Sequence, residues 1–95
     1  MKISWTPEAK VSYFNILDYL QYKWGLTEVR KFVEKTDFVL SQICKTPNMF
    51  KKSKSKDIRI GFISKQTSLF YRIKKNEIEL LTFWDNRQDD KRLKY

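Results

Sequence analysis

The sequence predicts an α+β fold in the order β-α-α-β-β-β, with a helical hairpin packed on one face of a small, mostly antiparallel sheet. Three observations carry that expectation. Ile58–Ile63, Ser68–Ile73 and Ile78–Trp84 are runs of β-branched and aromatic residues divided by polar turns, so they read as successive strands. Between Pro7 and Cys44 the apolar residues recur instead at helical spacing, in two stripes. A short alternating segment, Lys2-Ile3-Ser4-Trp5, precedes them and fits an edge strand with Ile3 and Trp5 on one side.

The first helix has clear boundaries. Thr6 suits an N-cap, Pro7 stands at the first helical position where its missing N–H costs nothing, and Glu8 complements the positive end of the dipole. Ala9, Tyr13, Ile16, Leu17, Leu20 and Trp24 form the stripe that the sheet receives, and Gly25 ends the helix. Thr27 then caps a second helix that runs to about Cys44, with Phe32, Val33, Thr36, Val39, Leu40 and Ile43 as its stripe and Pro47 blocking extension. Phe14, Tyr19, Tyr22 and Phe38 fall off both stripes, which leaves apolar surface for a partner. Cys44, beside Ile43, reads as a small buried hydrophobe.

In the three-strand meander, a connection over Ser64–Thr67 sets Ile63 opposite Ser68 and Arg59 opposite Arg72. The turn at Lys75-Asn76 sets Arg72 opposite Glu79 by the same counting. One face then collects Ile58, Ile60, Phe62, Leu69, Tyr71, Ile73, Ile78, Leu80 and Trp84, and the helices are expected to cover it. The other carries Arg59, Gly61, Ile63, Ser68, Phe70, Arg72, Glu79, Leu81 and Phe83 and is half polar, so function is sought there. Two readings of its charged row stay open: Glu79 merely neutralises adjacent arginines, or the row meets a phosphate.

These assignments make one domain over residues 1–95: a helical hairpin at 7–44, a basic loop at 47–56, the meander at 58–84 and a polar tail at 85–95. The lysine-rich loop is expected to be exposed, either as a solvated connection or as a clamp on phosphate or acidic peptide through residues such as Lys54 and Lys56. In the tail, Asp85 and Arg87 share the face of Arg59 and Arg72 if the last strand continues. Alternatively Asp85 and Asn86 cap the strand end and Arg87 pairs with a local carboxylate.

Net charge is +9, which favours polyanions or an acidic protein as partners without choosing between them. With one cysteine and no histidine, neither an internal disulfide nor an ordinary zinc site can form, and no cofactor is expected. No apolar run suggests a membrane span or signal segment, so a cytoplasmic protein with no membrane partner is expected.

The element order, together with IRIGFISKQTSLFYRIKKNEIELLTFWDNRQD, resembles the RelE/ParE superfamily of type II toxin–antitoxin toxins, also called plasmid-stabilisation proteins. The pieces that carry the resemblance are Pro47-x-Met49, Phe70-Tyr71-Arg72 and the final Leu80-Leu81-Thr82-Phe83-Trp84-Asp85-Asn86-Arg87-Gln88-Asp89, and it covers nearly the whole chain. It implies a small cytoplasmic bacterial toxin that arrests growth until an acidic, partly disordered antitoxin wraps it. Its target would be the ribosome and its mRNA in the RelE-like branch, where the toxin is an endonuclease, or DNA gyrase in the ParE-like branch.

RNA cleavage by 2′-hydroxyl attack needs a base, an acid and cations for the transition state. Cations abound in Arg59, Arg72, Arg87, Lys54 and Lys56, and Arg72 and Arg87 stand at positions resembling the family's strand and C-terminal arginines. The chain lacks the histidine some relatives use, and Tyr95 is the one candidate for the tyrosine others use, at a spacing that departs from the pattern. Arg72 and Arg87 are therefore the catalytic candidates, and Lys54, Lys56, Arg59 and Asp85 the target-binding ones. The missing acid–base pair favours the ParE-like reading, with the mRNA endonuclease and a non-toxic nucleic-acid-binding module as alternatives.

Overall fold

The computed structural model describes residues 1–55, 57–88 and 90–95, Asp90 by its backbone alone. The chain runs β1 (Lys2–Trp5), α1 (Pro7–Trp24), α2 (Leu26–Lys45), β2 (Ile58–Ser64), β3 (Thr67–Lys74) and β4 (Glu77–Asp85), followed by a 3-10 turn at Asp90–Arg92. The sheet order is β1-β4-β3-β2, with β1 parallel to β4 and the other pairs antiparallel. Two helices on a four-stranded, mostly antiparallel sheet is the architecture that the apolar periodicities predict.

Local chemistry explains the helix ends. Thr6 Oγ1 accepts from the Ala9 N–H at 3.1 Å, and Pro7 fills the first turn. Gly25, at φ +98°, ends α1 and begins α2, since its left-handed backbone is open only to a residue without a Cβ. The second cap is thus Gly25 and not Thr27, which lies inside the first turn of α2. With a one-residue link, the helices fold back on each other, and Tyr13 meets Phe32 at a ring distance of 5.9 Å.

α1 also seals the outer edge of β4. Because β1 pairs with β4 only as far as Leu80, the backbone groups beyond it would be orphaned. The Thr6 hydroxyl donates to the Leu80 carbonyl at 2.8 Å, and Ser12 Oγ accepts from the Phe83 N–H at 2.9 Å. The Thr6 cap, by its N–H (3.2 Å) and its hydroxyl, and the Ser12 hydroxyl on α1 therefore take the place of a missing strand.

The register of the meander departs from the sequence expectation in two places. The first turn is only Lys65-Gln66, with Ser64 opposite Thr67 and Phe62 opposite Ser68, so Ile63 is a bulged residue. Arg59 consequently pairs with Tyr71, and Ile58 with Arg72. A one-residue slip turns a whole strand over: Gly61 and Ile63 lie on the helix side, and Ile58 and Ile60 on the other. A second bulge, at Leu81, puts Leu80 opposite Tyr71 but Thr82 opposite Phe70. Phe83 joins the helix-side core in place of Trp84, stacking on Trp5 at 5.4 Å and meeting Tyr13 at 4.9 Å. The expected Arg72–Glu79 pairing stands.

The second face of the sheet is not open. Ile58, Phe70 and Leu81 are buried there beneath Leu93 and Tyr95, with Ile60 and Trp84 at the margin. A hydrogen bond from the Ser53 hydroxyl to Tyr95 O (2.9 Å) and an ion pair of Lys94 with Glu8 (3.1 Å) hold the tail in place. The basic loop likewise docks by its first half. Phe50 packs against the helix-side core, the Ile60 N–H donates to the Lys51 carbonyl at 3.1 Å, and Lys52 bridges Arg59 beside β2. On the helices, Trp24 leaves the expected stripe and is 64% exposed, while Cys44 is half-buried.

Candidate functional site

The sequence-derived cations do not assemble on one face. Arg72 lies on the tail-covered face, where its Nε and Nη2 both donate to Glu79 Oε1 at 3.0 and 2.6 Å. Arg59, turned over by the bulge, points to the helix side and donates from Nη1 to the Phe50 carbonyl at 2.6 Å. Neighbouring it, the Tyr71 hydroxyl donates to the Pro47 carbonyl at 2.8 Å. Burial raises the Tyr71 pKa above the ordinary phenol value, and the Arg59 charge works against that rise.

Although they leave opposite faces, Arg59 and Arg72 meet again at the β2 edge. There they line one cleft of about 560 Å³ with Lys52, Asp57, Ile73, Lys74 and Lys75. Lys54 is exposed and does not line it, and Lys56 lies outside the described residues. Sequence reasoning missed Lys52, Asp57, Lys74 and Lys75 as partners of the two arginines. The signal was present: Lys74 and Lys75 lead into the turn after Arg72 with only Ile73 between, and Asp57 precedes Ile58, so any pairing of β2 with β3 gathers them at one end.

Asp85 and Arg87 form a separate group. Asp85 Oδ1 accepts from both the Arg87 N–H (2.9 Å) and Nε (3.0 Å), while Oδ2 accepts from Nη2 at 2.8 Å. These hydrogen bonds hold the Asp85 carboxyl below its ordinary pKa and the Arg87 guanidinium above its own. The guanidinium also sits 5.6 Å from the centre of the Tyr19 ring. Of the two expectations for this segment, the local carboxylate pair is the one observed, and Arg87 does not share a face with Arg72.

The pair lines a groove of about 700 Å³ between α1 and the end of β4, which also takes in Tyr19, Lys23, Trp24 and Arg92. Lys23 and Arg92 were not singled out from the sequence, and Trp24 was read there as part of the stripe that the sheet receives. Outside this groove the helices expose Phe14 (58%), Tyr22 (90%), Leu26 (66%) and Phe38 (65%), and Phe38 lines a separate groove with Lys31, Glu34, Lys35, Val39 and Ile63. Tyr95, the tyrosine candidate for RNA cleavage, packs tilted against Phe70 at a ring distance of 5.9 Å within the second-face cluster.

Chemically, the two sites differ. The cleft is a concentration of positive charge with one carboxylate, suited to an anion. The groove mixes aromatic rings with a tied ion pair, which suits a protein surface. Among the described residues no three His, Cys, Asp or Glu side chains gather to hold a metal, and no helix is long and apolar enough to cross a membrane.

Comparison with known proteins agrees with the architecture. The solved chromosomal ParDE toxin–antitoxin system from P. aeruginosa superposes with a TM-score of 0.77 at 20% identity, covering 90% of this chain and 95% of that one. A YoeB/ParE toxin from Agrobacterium tumefaciens gives 0.66 at 17% identity, over 90% and 98%. The YoeB–YefM complex from Staphylococcus aureus gives 0.62 at 21%, over 87% and 93%. No curated protein sequence matches significantly. The sequence itself matches the model for the ParE toxin of the type II toxin–antitoxin system parDE over residues 3–90, nearly its whole length. The chain therefore belongs to the ParE toxin family of type II toxin–antitoxin systems.

Proposed function

We propose that this toxin arrests growth by binding DNA gyrase, and that a cognate antitoxin, acidic and partly disordered, neutralises it by covering the helical hairpin. The observation that carries the reading is the separation of the two arginines that RNA cleavage would use. Arg72 is tied to Glu79 in the basic cleft, and Arg87 is tied to Asp85 across the groove from Tyr19. The carboxylates beside them, Glu79 and Asp85, are committed to the arginines themselves and so are not free to serve as the base of an acid–base pair, and Tyr95 lies against Phe70. Binding to a target needs no such pair.

The antitoxin reading is supported by exposed Phe14, Tyr22, Trp24 and Phe38 on a chain of net charge +9. Similar folds occur in a ParDE system and a YoeB–YefM complex. Purified protein added to gyrase, ATP and relaxed plasmid is expected to block supercoiling. Cuts at codon positions in message on translating ribosomes, with supercoiling intact, would replace this reading by mRNA cleavage. Co-expression of the adjacent gene is expected to restore growth.

A further inference from the structure

We propose that the cleft lined by Lys52, Arg59, Arg72, Lys74 and Lys75 binds the phosphodiester backbone of duplex DNA. The choice of DNA rests on the gyrase reading, while the choice of a phosphodiester rests on the cleft. Five cations line it against the single carboxylate of Asp57. Among the described residues, Lys52, Lys74 and Lys75 have no ion-pair partner, whereas Glu28 and Glu8 pair with lysines on other surfaces. Like charges left together repel one another, and an anion placed between them relieves that cost.

Both arginines keep donors to spare. Arg72 commits Nε and Nη2 to one oxygen of Glu79, which leaves Nη1, and Arg59 commits only Nη1 to the Phe50 carbonyl. Ile73 is the one apolar residue in the lining, so an acidic peptide would find charge there but no anchoring pocket. A phosphate backbone requires only charge and donors.

Backbone conformation points to the same place. Asp57 (φ +63°) and Lys75 (φ +54°) are the only non-glycine residues of positive φ among the described residues, and both line this cleft. Aspartate tolerates the left-handed region, but lysine gains nothing from it, and the next residue, Asn76, is of the type such a position favours. What Lys75 brings to its turn is the side chain, and that side chain faces the cleft.

The test is fluorescence polarisation of a labelled 20-base-pair duplex with the full chain, between 50 and 200 mM KCl. With about three phosphates neutralised, affinity should fall about 40-fold over that range. K52E/K74E/K75E should lose at least about tenfold in affinity, and K10E/K35E/K45E, of the same net charge but on the helices, less than about threefold. Lys75→Asn, which suits its backbone, should weaken binding while raising the melting temperature, so a folding defect cannot imitate the result.

Equal losses in the two triple variants would overturn the proposal, as would no binding by the unaltered protein. Tighter binding of polyglutamate through the same lysines would assign the cleft to acidic protein instead. Binding of a matching single-stranded RNA but not the duplex would overturn the assignment to DNA. Because the assay contains no gyrase, failure here leaves the gyrase reading standing, and failure of gyrase inhibition leaves the duplex measurement standing.

Discussion

Gly61 lies directly beneath the Phe50 ring, so close that a Cβ at that position would stand 2.9 Å from Phe50 Cδ2 and 3.0 Å from Cε2. The contact docks the basic loop on β2, because a bare Cα lets an aromatic ring rest on the strand. Gly61→Ala should therefore destabilise by about 1–3 kcal/mol, as overpacking does. Denaturant unfolding would measure it. Pairing Gly61→Ala with Phe50→Leu should cost less than the sum of the single changes, and strict additivity would mean that the ring has room to move.

Tyr71 ties the start of the same loop. Its phenol is fully buried and donates to the Pro47 carbonyl at 2.8 Å. Tyr71→Phe keeps the ring but orphans that carbonyl, and should cost about 1 kcal/mol at neutral pH. The sign with pH follows from its raised pKa. The folded form holds the proton more tightly than the unfolded one, so the stabilisation is complete below about pH 10 and is lost as pH rises toward the folded value. The unfolding midpoints of the two proteins should lie closer together at pH 11 than at pH 8 if the phenol is the cause; Tyr13, raised likewise by burial, is the common background.

Element order, the Thr6 cap and the Gly25 break were legible because each depends on local chemistry: a hydroxyl before a proline, or the one residue free to take φ +98°. The faces of the strands were not. Ile63 and Leu81 are bulged, and nothing in IRIGFIS or EIELLTFWD distinguishes a bulged apolar residue from a paired one, since at each bulge two apolar residues stand side by side, Phe62 with Ile63 and Leu80 with Leu81. Each bulge moved an arginine, a phenylalanine or a tryptophan to the opposite face. The second face was expected to be open because the tail reads as polar, and only Leu93 and Tyr95 do the covering. Of the site, Arg59 and Arg72 were found but assigned to one row; they share a cleft from opposite sides of the sheet.

The Asp85–Arg87 pair should contribute about 0.2–1 kcal/mol, toward the lower end because Arg87 is 53% exposed. Asp85 has a lowered folded pKa, so the unfolded chain binds the proton first as pH falls. The contribution is complete above about pH 5 and is lost as pH drops through the folded value. Asp85→Asn should remove this part of the acid dependence and lower the melting temperature at pH 7 slightly, by an amount that shrinks as the pH is taken down from about 5. An unaltered profile between pH 5 and pH 3 would mean that the pair does not form in solution.

Phe38 and Trp24 offer a separation of stability from partner binding. Each is about two-thirds exposed, so Phe38→Ser and Trp24→Ser should change unfolding free energy by no more than about 0.5 kcal/mol. If the antitoxin covers the hairpin, the same changes should weaken its binding by about tenfold or more, as loss of aromatic anchors does. Calorimetric titration with the purified antitoxin reads the second effect, and unchanged affinity in both variants would place the antitoxin elsewhere.

Arg72 has two roles that a charge exchange can part. It balances Glu79, whose side chain is only 22% exposed, and it lines the basic cleft. Arg72→Ala leaves that carboxylate without its cation and should cost about 1–2 kcal/mol, a loss that obscures any effect on toxicity. The exchange Arg72→Glu with Glu79→Arg keeps an ion pair on neighbouring strands while carrying the cation from β3 to β4, away from the β2 edge. The exchanged protein should unfold within about 1 kcal/mol of the original, since cross-strand partners of opposite charge are retained. If Arg72 touches the target, growth arrest should nonetheless be lost on induction; full toxicity from a stably folded exchange variant would leave Arg72 as a partner for Glu79 and nothing more.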